Sequence, residues 1–455
     1  MKQWWMLLLT LAAVLSLLVG CAGQDVPGGA ASVVPETPAS SVQIPTEPEP
    51  PAQPEVPVQP EMPAVTEPAA PTLTPEELAI LTARRDIAEQ YMREMATVLW
   101  RAEEDIIYTL KSNKTPDEVS ATDQLVIRAG RLYQGVIYSY GYSTTDAFLA
   151  FAGEPGDNGV YSVSGLEWQA LSGGSKYARI GNDCSGALTT AWSVIGATVP
   201  ANSTKTMCEK YGFLKVGEYE SDPNENVDTH LVTTTKNGEQ VMYRAYAQLQ
   251  KADGIVRRKG SSGHARMIVS VDVVYNADGT INGSKSYATI LEQTSSNLRK
   301  GIKHYDAVLA EEVYEIYGVD KKITFSQLCV DGYLPITCKE LIDPSPVAEP
   351  VVKDVFLEHN RSTILLGSLT ANRFIDAVTV TITDNTGKEV QKATVNATRA
   401  SVLKFDMRKF TEDDPAAIVG HIDVDGLAPG NYHCITVCRL SAGQEFTIRD
   451  FGFTV

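Results

Sequence analysis

From residue 74 onward the chain carries two hydrophobic rhythms, one with the period of a helix and one with the period of a strand. Thr74-Pro75-Glu76-Glu77 combines a capping threonine, a proline at the first helical position and a glutamate three residues after the cap, which together predict a helix start. Ile80, Ile87, Tyr91, Met95, Val98 and Ala102 then recur at the spacing of one helix face, and the run fades near Lys111-Ser112-Asn113. A second helix is predicted over 121–133, and a third opens at Cys184, runs through Leu188, Ala191, Trp192 and Ile195, and stops at Gly196. Extended runs follow at 254–258, 265–274 and 287–293, another segment at 323–336 closes the region, and the polar stretch 218–240 reads as a long insertion. Helices followed by antiparallel strands predict an α+β domain over 73–342.

Beyond Asp343-Pro344-Ser345-Pro346, which marks a linker at 343–352, the rhythm becomes strand-like throughout. The segments 377–383, 390–395, 401–406, 418–424, 432–439 and 446–455 alternate apolar and polar residues, and Asp384-Asn385-Thr386-Gly387 and Ala428-Pro429-Gly430-Asn431 supply turns between them. This predicts an all-β, immunoglobulin-like sandwich over 353–455. At the other end, Lys2 precedes an apolar run over 4–19, short for a spanning helix and of the length found in signal peptides. The run ends in Leu18-Val19-Gly20-Cys21, which resembles the lipobox of bacterial lipoproteins. The resemblance implies that 1–21 is a lipoprotein signal peptide and that an acylated Cys21 becomes the mature N-terminus. Its lipid would anchor the protein to a bacterial cell membrane in an extracytoplasmic location.

Composition sharpens that picture. Of 24 prolines in 455 residues, 13 fall within 22–72, together with seven acidic residues and with no basic or aromatic ones. Such a segment buries too little apolar surface to offset its ordering entropy and is expected to be a disordered tether, reaching roughly 150 Å if fully extended. A net charge of −17 argues against nucleic acid and against an electrostatic grip on anionic lipid, so the membrane is expected as a partner only through the N-terminal lipid. Apart from Cys21, the cysteines at 184, 208, 329, 338, 434 and 438 show no metal-ligand spacing, and no metal or cofactor is expected. Cys434 and Cys438, four apart on a predicted strand, would lie about 13 Å from each other, too far for a disulfide.

One cysteine has a chemical context. In Gly181-Asn182-Asp183-Cys184-Ser185-Gly186 a polar loop leads into an apolar-periodic helix, which puts the thiol of Cys184 at a helix N-terminus. There the unpaired N–H groups and the helix dipole favour a thiolate and can receive an oxyanion. A base is still needed, because an ordinary thiol is mostly protonated at neutral pH. Among the six histidines only His264, in Gly263-His264-Ala265-Arg266, combines a strand start with the middle domain.

Together these blocks resemble the NlpC-type cysteine peptidases, papain-like enzymes of bacterial cell-wall turnover. The resemblance runs over about 132–293 and rests on Gly135-Val136-Ile137-Tyr138-Ser139-Tyr140-Gly141, on Asp183-Cys184-Ser185-Gly186, and on Ala252-Asp253-Gly254-Ile255-Val256 with Gly263-His264. It implies that Cys184 is the nucleophile and His264 the base, with Tyr138, Asp183, Ser185 and Arg266 at the substrate. The third catalytic residue falls on the next predicted strand, where Gln293 matches best by register and Glu292 is the competitor. A glutamate would stabilise an imidazolium, whereas a glutamine would fix ring orientation and tautomer. Ile137 stands where the family often has proline, Ala187 where it has a bulky apolar residue, and Arg266 where it has a small one. The function implied is an endopeptidase that cleaves amide bonds of peptidoglycan stem peptides through a thioester. An amidase at the glycan–peptide junction and a non-catalytic binding lipoprotein are the alternatives. The sequence assigns no oligomeric state, and the C-terminal region reads first as a spacer.

Overall fold

The computed structural model describes residues 73–110, 124–141, 144–166, 168–170, 176–178, 180–199, 204–208, 210–221, 229–260, 262–355, 359–407, 418–440 and 443–455. The expected signal peptide over 1–21, with Cys21, and the expected tether over 22–72 lie outside them. Among the described residues no helix is long and apolar enough to cross a membrane.

The first helix, Pro75–Thr97, starts where the capping signal puts it: Thr74 Oγ1 accepts from the Glu77 amide, and the Glu77 carboxylate accepts from the Thr74 amide. Its buried face meets the predicted one at Met95 but otherwise differs, and the helix ends at Thr97, so that Ala102 falls on the strand Leu99–Ala102 that follows. Leu81, Arg85, Ala88, Met92, Met95 and Ala96 are buried, whereas Ile80 and Ile87 are exposed. The difference has a cause that apolar periodicity misses, because an arginine belongs to the inner face. Arg85 Nη1 pairs with Asp253 Oδ1 at 2.9 Å and also donates to Lys251 O, while Nη2 donates to Leu341 O.

No helix occupies the described part of 121–133. Leu125–Ile127 and Leu132–Gln134 are short strands, separated by a turn that contains Gly130 at φ 76°. Leu132–Gln134 belongs to a five-stranded sheet in the order Lys303–Asp306, Glu311–Glu315, Leu132–Gln134, Leu99–Ala102, Tyr161–Val163. Trp100 stacks on Tyr133 at 5.0 Å between ring centroids and donates through Nε1 to Gly135 O, which fixes the start of the Tyr138 segment.

The sheet that carries the candidate chemistry has six strands, all antiparallel: Tyr317–Thr324, Tyr287–Gln293, Ser262–Asp272, Gly254–Lys259, Leu334–Cys338 and Phe213–Lys215 in that order. Helix Cys184–Ser193 packs on it at Gly254. A Cβ there would come within 2.9 Å of Leu188 and 3.3 Å of Trp192, so only glycine lets helix and strand approach so closely. The predicted segment 323–336 is the end of one strand, a helix Phe325–Val330 and the strand Leu334–Cys338. The stretch read as an insertion contains helix Thr229–Asn237, which packs against strand Gly254–Lys259. Its buried residues include Thr233 and Thr234, and threonines on an inner helix face leave too weak an apolar signal to be read as one.

The C-terminal strands follow the predicted alternation, but they do not separate into two facing sheets. Leu366–Asp384 and Glu389–Asp406 pair along most of their length, and 390–395 and 401–406 prove to be parts of one strand. Ile418–His421, Asn431–Leu440, Glu445–Thr454 and Val352–Asp354 join the same hydrogen-bonded sheet. Register shifts around Ile375 take up the irregularity that the sequence reading assigned to a gap between strands. This region has its own core, with Val378, Val380 and Ile382 at strand spacing on the buried face. The fold shown is mixed α and β, with separate sheets for the two regions.

The expected linker over 343–352 is tied down. Arg84 donates to the carbonyls of Asp343 and Ser345, Arg373 to that of Ala348, and Asn372 to that of Glu349. A buried pair, Arg439 with Asp376, also receives the Thr144 hydroxyl from the preceding region. The six described cysteines are all free and buried.

The Arg85–Asp253 pair is enclosed, with side-chain exposures of 9% and 2%. Removing one partner strands the other in low dielectric, so Arg85→Met is expected to destabilise the fold by about 3–5 kcal/mol. Urea unfolding of the variant beside the parent checks this, and an unchanged midpoint would contradict it.

Candidate active site

Two backbone arrangements bring the predicted residues together. The segment after Gly135 runs beside the loop before Cys184: Asn182 N donates to Ile137 O at 3.0 Å, Ser139 N donates to Asn182 O at 2.8 Å, and Tyr138 and Asn182 form a parallel bridge. Gly181 makes this contact possible, because at φ 116° a Cβ would sit 2.5 Å from Ile137 O. In the second, Asp183 caps helix Cys184–Ser193 by accepting from the Gly186 amide at 2.6 Å, so that Cys184 opens the first turn.

The Cys184 side chain is enclosed, with 4% of its surface exposed. Its sulfur accepts from the backbone N–H of Ala265, from that of Ser185 and from the Tyr138 hydroxyl. The thiol therefore meets the histidine strand at the residue that follows His264. Burial pushes its pKa up to about 12, the Asp183 carboxylate adds to the rise, and the three donors only partly offset them. The thiolate expected from the helix N-terminus is not the resting form in this setting. Burial likewise raises Tyr138, with Cys184 and Asp183 adding to the effect.

His264 lies on strand Ser262–Asp272, paired with Arg257 across the neighbouring strand. Its Nε2 and Glu292 Oε2 are 2.6 Å apart. Of the two candidates for the third residue, Glu292 and not the preferred Gln293 stands beside His264, and strand register explains why. Met267 pairs with Leu291, so one further step along both strands brings Glu292 beside Arg266, and alternation returns His264 to that same face. Gln293 points the other way, where Nε2 donates to Val136 O at 2.7 Å and Ile137 O at 3.1 Å. Gln293 holds the backbone that leads into Tyr138 and does not orient the imidazole.

Glu292 is shared. Arg266 Nε reaches the same Oε2 at 2.6 Å, and Lys321 Nζ approaches Oε1 at 3.3 Å. Burial by itself would raise this carboxyl, but His264 and Arg266 outweigh it and hold the pKa well below the ordinary carboxylate range. His264 moves down from its usual value. Desolvation of the ring is the leading cause, opposed by Glu292 and reinforced by Arg266 and Arg257. The resting pair is therefore a neutral thiol and a neutral imidazole. With Nε2 bonded to a carboxylate the proton sits on Nε2, which leaves Nδ1 as the basic nitrogen. Among the described residues Cys184 and His264 make no direct hydrogen bond.

The predicted substrate residues divide. Tyr138 is at the thiol, as its motif position implies. Ser185 is buried and donates its hydroxyl to Asp183 Oδ1, the oxygen that also accepts from the Gly186 amide, so both side chains take part in the helix cap. Arg266 is engaged with Glu292, and its guanidinium lies 4.6 Å over the Tyr333 ring, which Arg257 shares from 5.3 Å. The sequence reading missed Tyr333, Arg257 and Lys321. Arg257 and Lys321 could be found only from strand register, and Tyr333, in the turn after a helix, leaves no signal at all. Among the described residues no three His, Cys, Asp or Glu side chains converge as a metal-ligand group.

Compared with protein-family models, with curated proteins and with solved structures, the chain matches none.

A thiol raised this far ionises only in strong base. In the free protein, alkylation of Cys184 by iodoacetamide is expected to keep accelerating through about pH 9 to 10, because the thiolate fraction rises about tenfold per pH unit below the pKa. Mass spectrometry of the Cys184 peptide measures it, and a rate already level near neutral pH would reveal a resting thiolate instead.

Proposed function

We propose that this protein is a cell-surface cysteine hydrolase of NlpC type that cleaves amide bonds in peptidoglycan stem peptides. The observation that carries the reading is the bond from His264 Nε2 to Glu292, made on the strand whose next residue, Ala265, donates its amide to the Cys184 sulfur. A nucleophile at a helix start, a base on the adjoining strand and an orienting carboxylate on the strand after it have the division of roles of a triad. The finer fold reading, a papain-like domain, rests on this relation of helix to strand and on the three sequence blocks.

In the mechanism Nδ1 of His264 takes the thiol proton as the Cys184 sulfur attacks the amide carbonyl. The S–C bond forms, and N–H groups at the helix start stabilise the oxyanion. His264 returns the proton to the departing nitrogen as the C–N bond breaks, and water then hydrolyses the thioester with His264 as base. Because thiol and imidazole are neutral at rest, proton transfer accompanies attack and does not precede it. The chemistry requires no metal or organic cofactor. Acylation of Cys21 and the tether over 22–72 would place the catalytic region where wall peptides are, and peptidoglycan peptides are its proposed partners.

A second reading has support of its own. The enclosed, strongly raised thiol and the missing direct bond to His264 suit a domain that binds wall peptides without cutting them. The two readings give different outcomes when the full-length protein, in detergent, is incubated with purified stem peptides and with glycan-linked muropeptides, and products are weighed by mass spectrometry. The hydrolase reading expects cleavage within the stem peptide and a loss of at least about a thousandfold in Cys184→Ala. Release of whole stem peptides from glycan would make the enzyme an amidase. Binding without cleavage favours the scaffold, and cleavage that persists in Cys184→Ala overturns the assigned nucleophile.

A further inference from the structure

The carboxylate that orients His264 does not belong to His264 alone. Oε2 of Glu292 is 2.6 Å from His264 Nε2 and 2.6 Å from Arg266 Nε, and Lys321 Nζ lies 3.3 Å from Oε1. These contacts differ in strength. Arg266 is mostly enclosed and its guanidinium is fixed over Tyr333, whereas Lys321 is 42% exposed and divides its ammonium between Glu292 and Asn297 Oδ1. We propose that Arg266 is a positioning residue that competes with His264 for one oxygen of Glu292, so that Glu292 fixes the ring and its tautomer without supplying the net negative charge that would make it an imidazolium.

The groups that face the ring bear this out as a charge pattern. From its own strand comes Arg266, from the paired strand Arg257, from the following strand Glu292, and beyond that Lys321. Asp331, at 3.9 Å from Arg257, is a loose partner that only partly offsets that cation, and Tyr333 is a neutral ring between the two arginines. On the other side the thiol reaches Ala265 uncharged. One buried carboxylate thus answers to more than one positive group, and a further proton on His264 would have no counter-charge of its own. A glutamate shielded in this way does for the imidazole what the sequence reading expected of a glutamine. Arg266 is the residue that converts one into the other.

This inference rests on the proposed roles of His264 and Glu292, but its test does not require an activity. In the full-length protein in detergent, with histidine rings labelled with 15N and the His264 signals identified from their loss in His264→Asn, the ring nitrogens are followed against pH. The parent is expected to show a neutral ring at pH 7 with the proton on Nε2, and an imidazolium there would overturn the proposal. Arg266→Gln is expected to raise the His264 pKa by about one unit, Lys321→Gln by clearly less, and Arg266→Lys to hold it near the parent value. A Gln variant that leaves the pKa unchanged or lowers it, with its fold verified by circular dichroism, overturns the competition. Should Arg266→Gln fail to fold, the parent tautomer and the Arg266→Lys titration still decide. If the ring titrates as expected and no peptide is cleaved, the shared carboxylate stands and the hydrolase reading falls. If cleavage depends on Cys184 but Arg266→Gln leaves the acid limb of its pH profile in place, the hydrolase reading stands and this inference falls.

Discussion

One buried ion pair sets the helix that carries the candidate nucleophile against its sheet. Arg85 on the first helix and Asp253 at the entrance to a central strand are joined at 2.9 Å, and each has further partners: Arg85 the carbonyls of Lys251 and Leu341, Asp253 the Thr337 hydroxyl and the Gln250 amide. A desolvated pair is costly unless its remaining hydrogen-bonding capacity is met, and here it is met largely by backbone. The pair fixes the turn over 250–253, the turn sets the start of strand Gly254–Lys259, and Gly254 receives the helix that begins with Cys184. A shift at the ion pair would move the helix that carries the thiol relative to the strand that carries His264.

The same low dielectric sets the chemistry. In water the helix dipole and a neighbouring imidazole would ease ionisation of a thiol, but enclosure of Cys184 beside Asp183 reverses the balance, and enclosure of His264 keeps its ring neutral. Glu292 is the exception that remains charged, because its partners outweigh the cost of burial. The site keeps its charge on Glu292 and leaves the candidate nucleophile and base neutral. A substrate that displaced water from the thiol would meet a preset hydrogen-bond frame with little charge to rearrange.

How far the sequence could be read depended on whether a signal was local. The first cap, the cysteine helix, the strands at 254, 265 and 287 and nearly all of the C-terminal strands were legible, since a capping box, a glycine stop and period-two alternation arise within a few residues. The buried face of the first helix was not, because Arg85 counts as polar until Asp253 is known to lie against it. Gln293 was preferred to Glu292 for a related reason: the choice turns on the pairing of Met267 with Leu291, a fact about two strands that neither contains. The two-sheet expectation for the C-terminal region failed at the same step, since alternation identifies strands but leaves open which of them share hydrogen bonds.

The cysteines have a consequence for how this fold can be reached. Leaving Cys21 aside, the other six thiols allow about fifteen complete pairings on an unfolded chain, and every one of them would take up Cys184, the candidate nucleophile. In the folded protein the six described thiols are free and buried, Cys208, Cys329 and Cys338 in one core, Cys434 and Cys438 in another and Cys184 at the candidate site, and no disulfide joins the described strands. The fold asks nothing of an oxidant: packing holds each of the six sulfurs in place, and enclosure alone separates the Cys184 sulfur from reagents in solution.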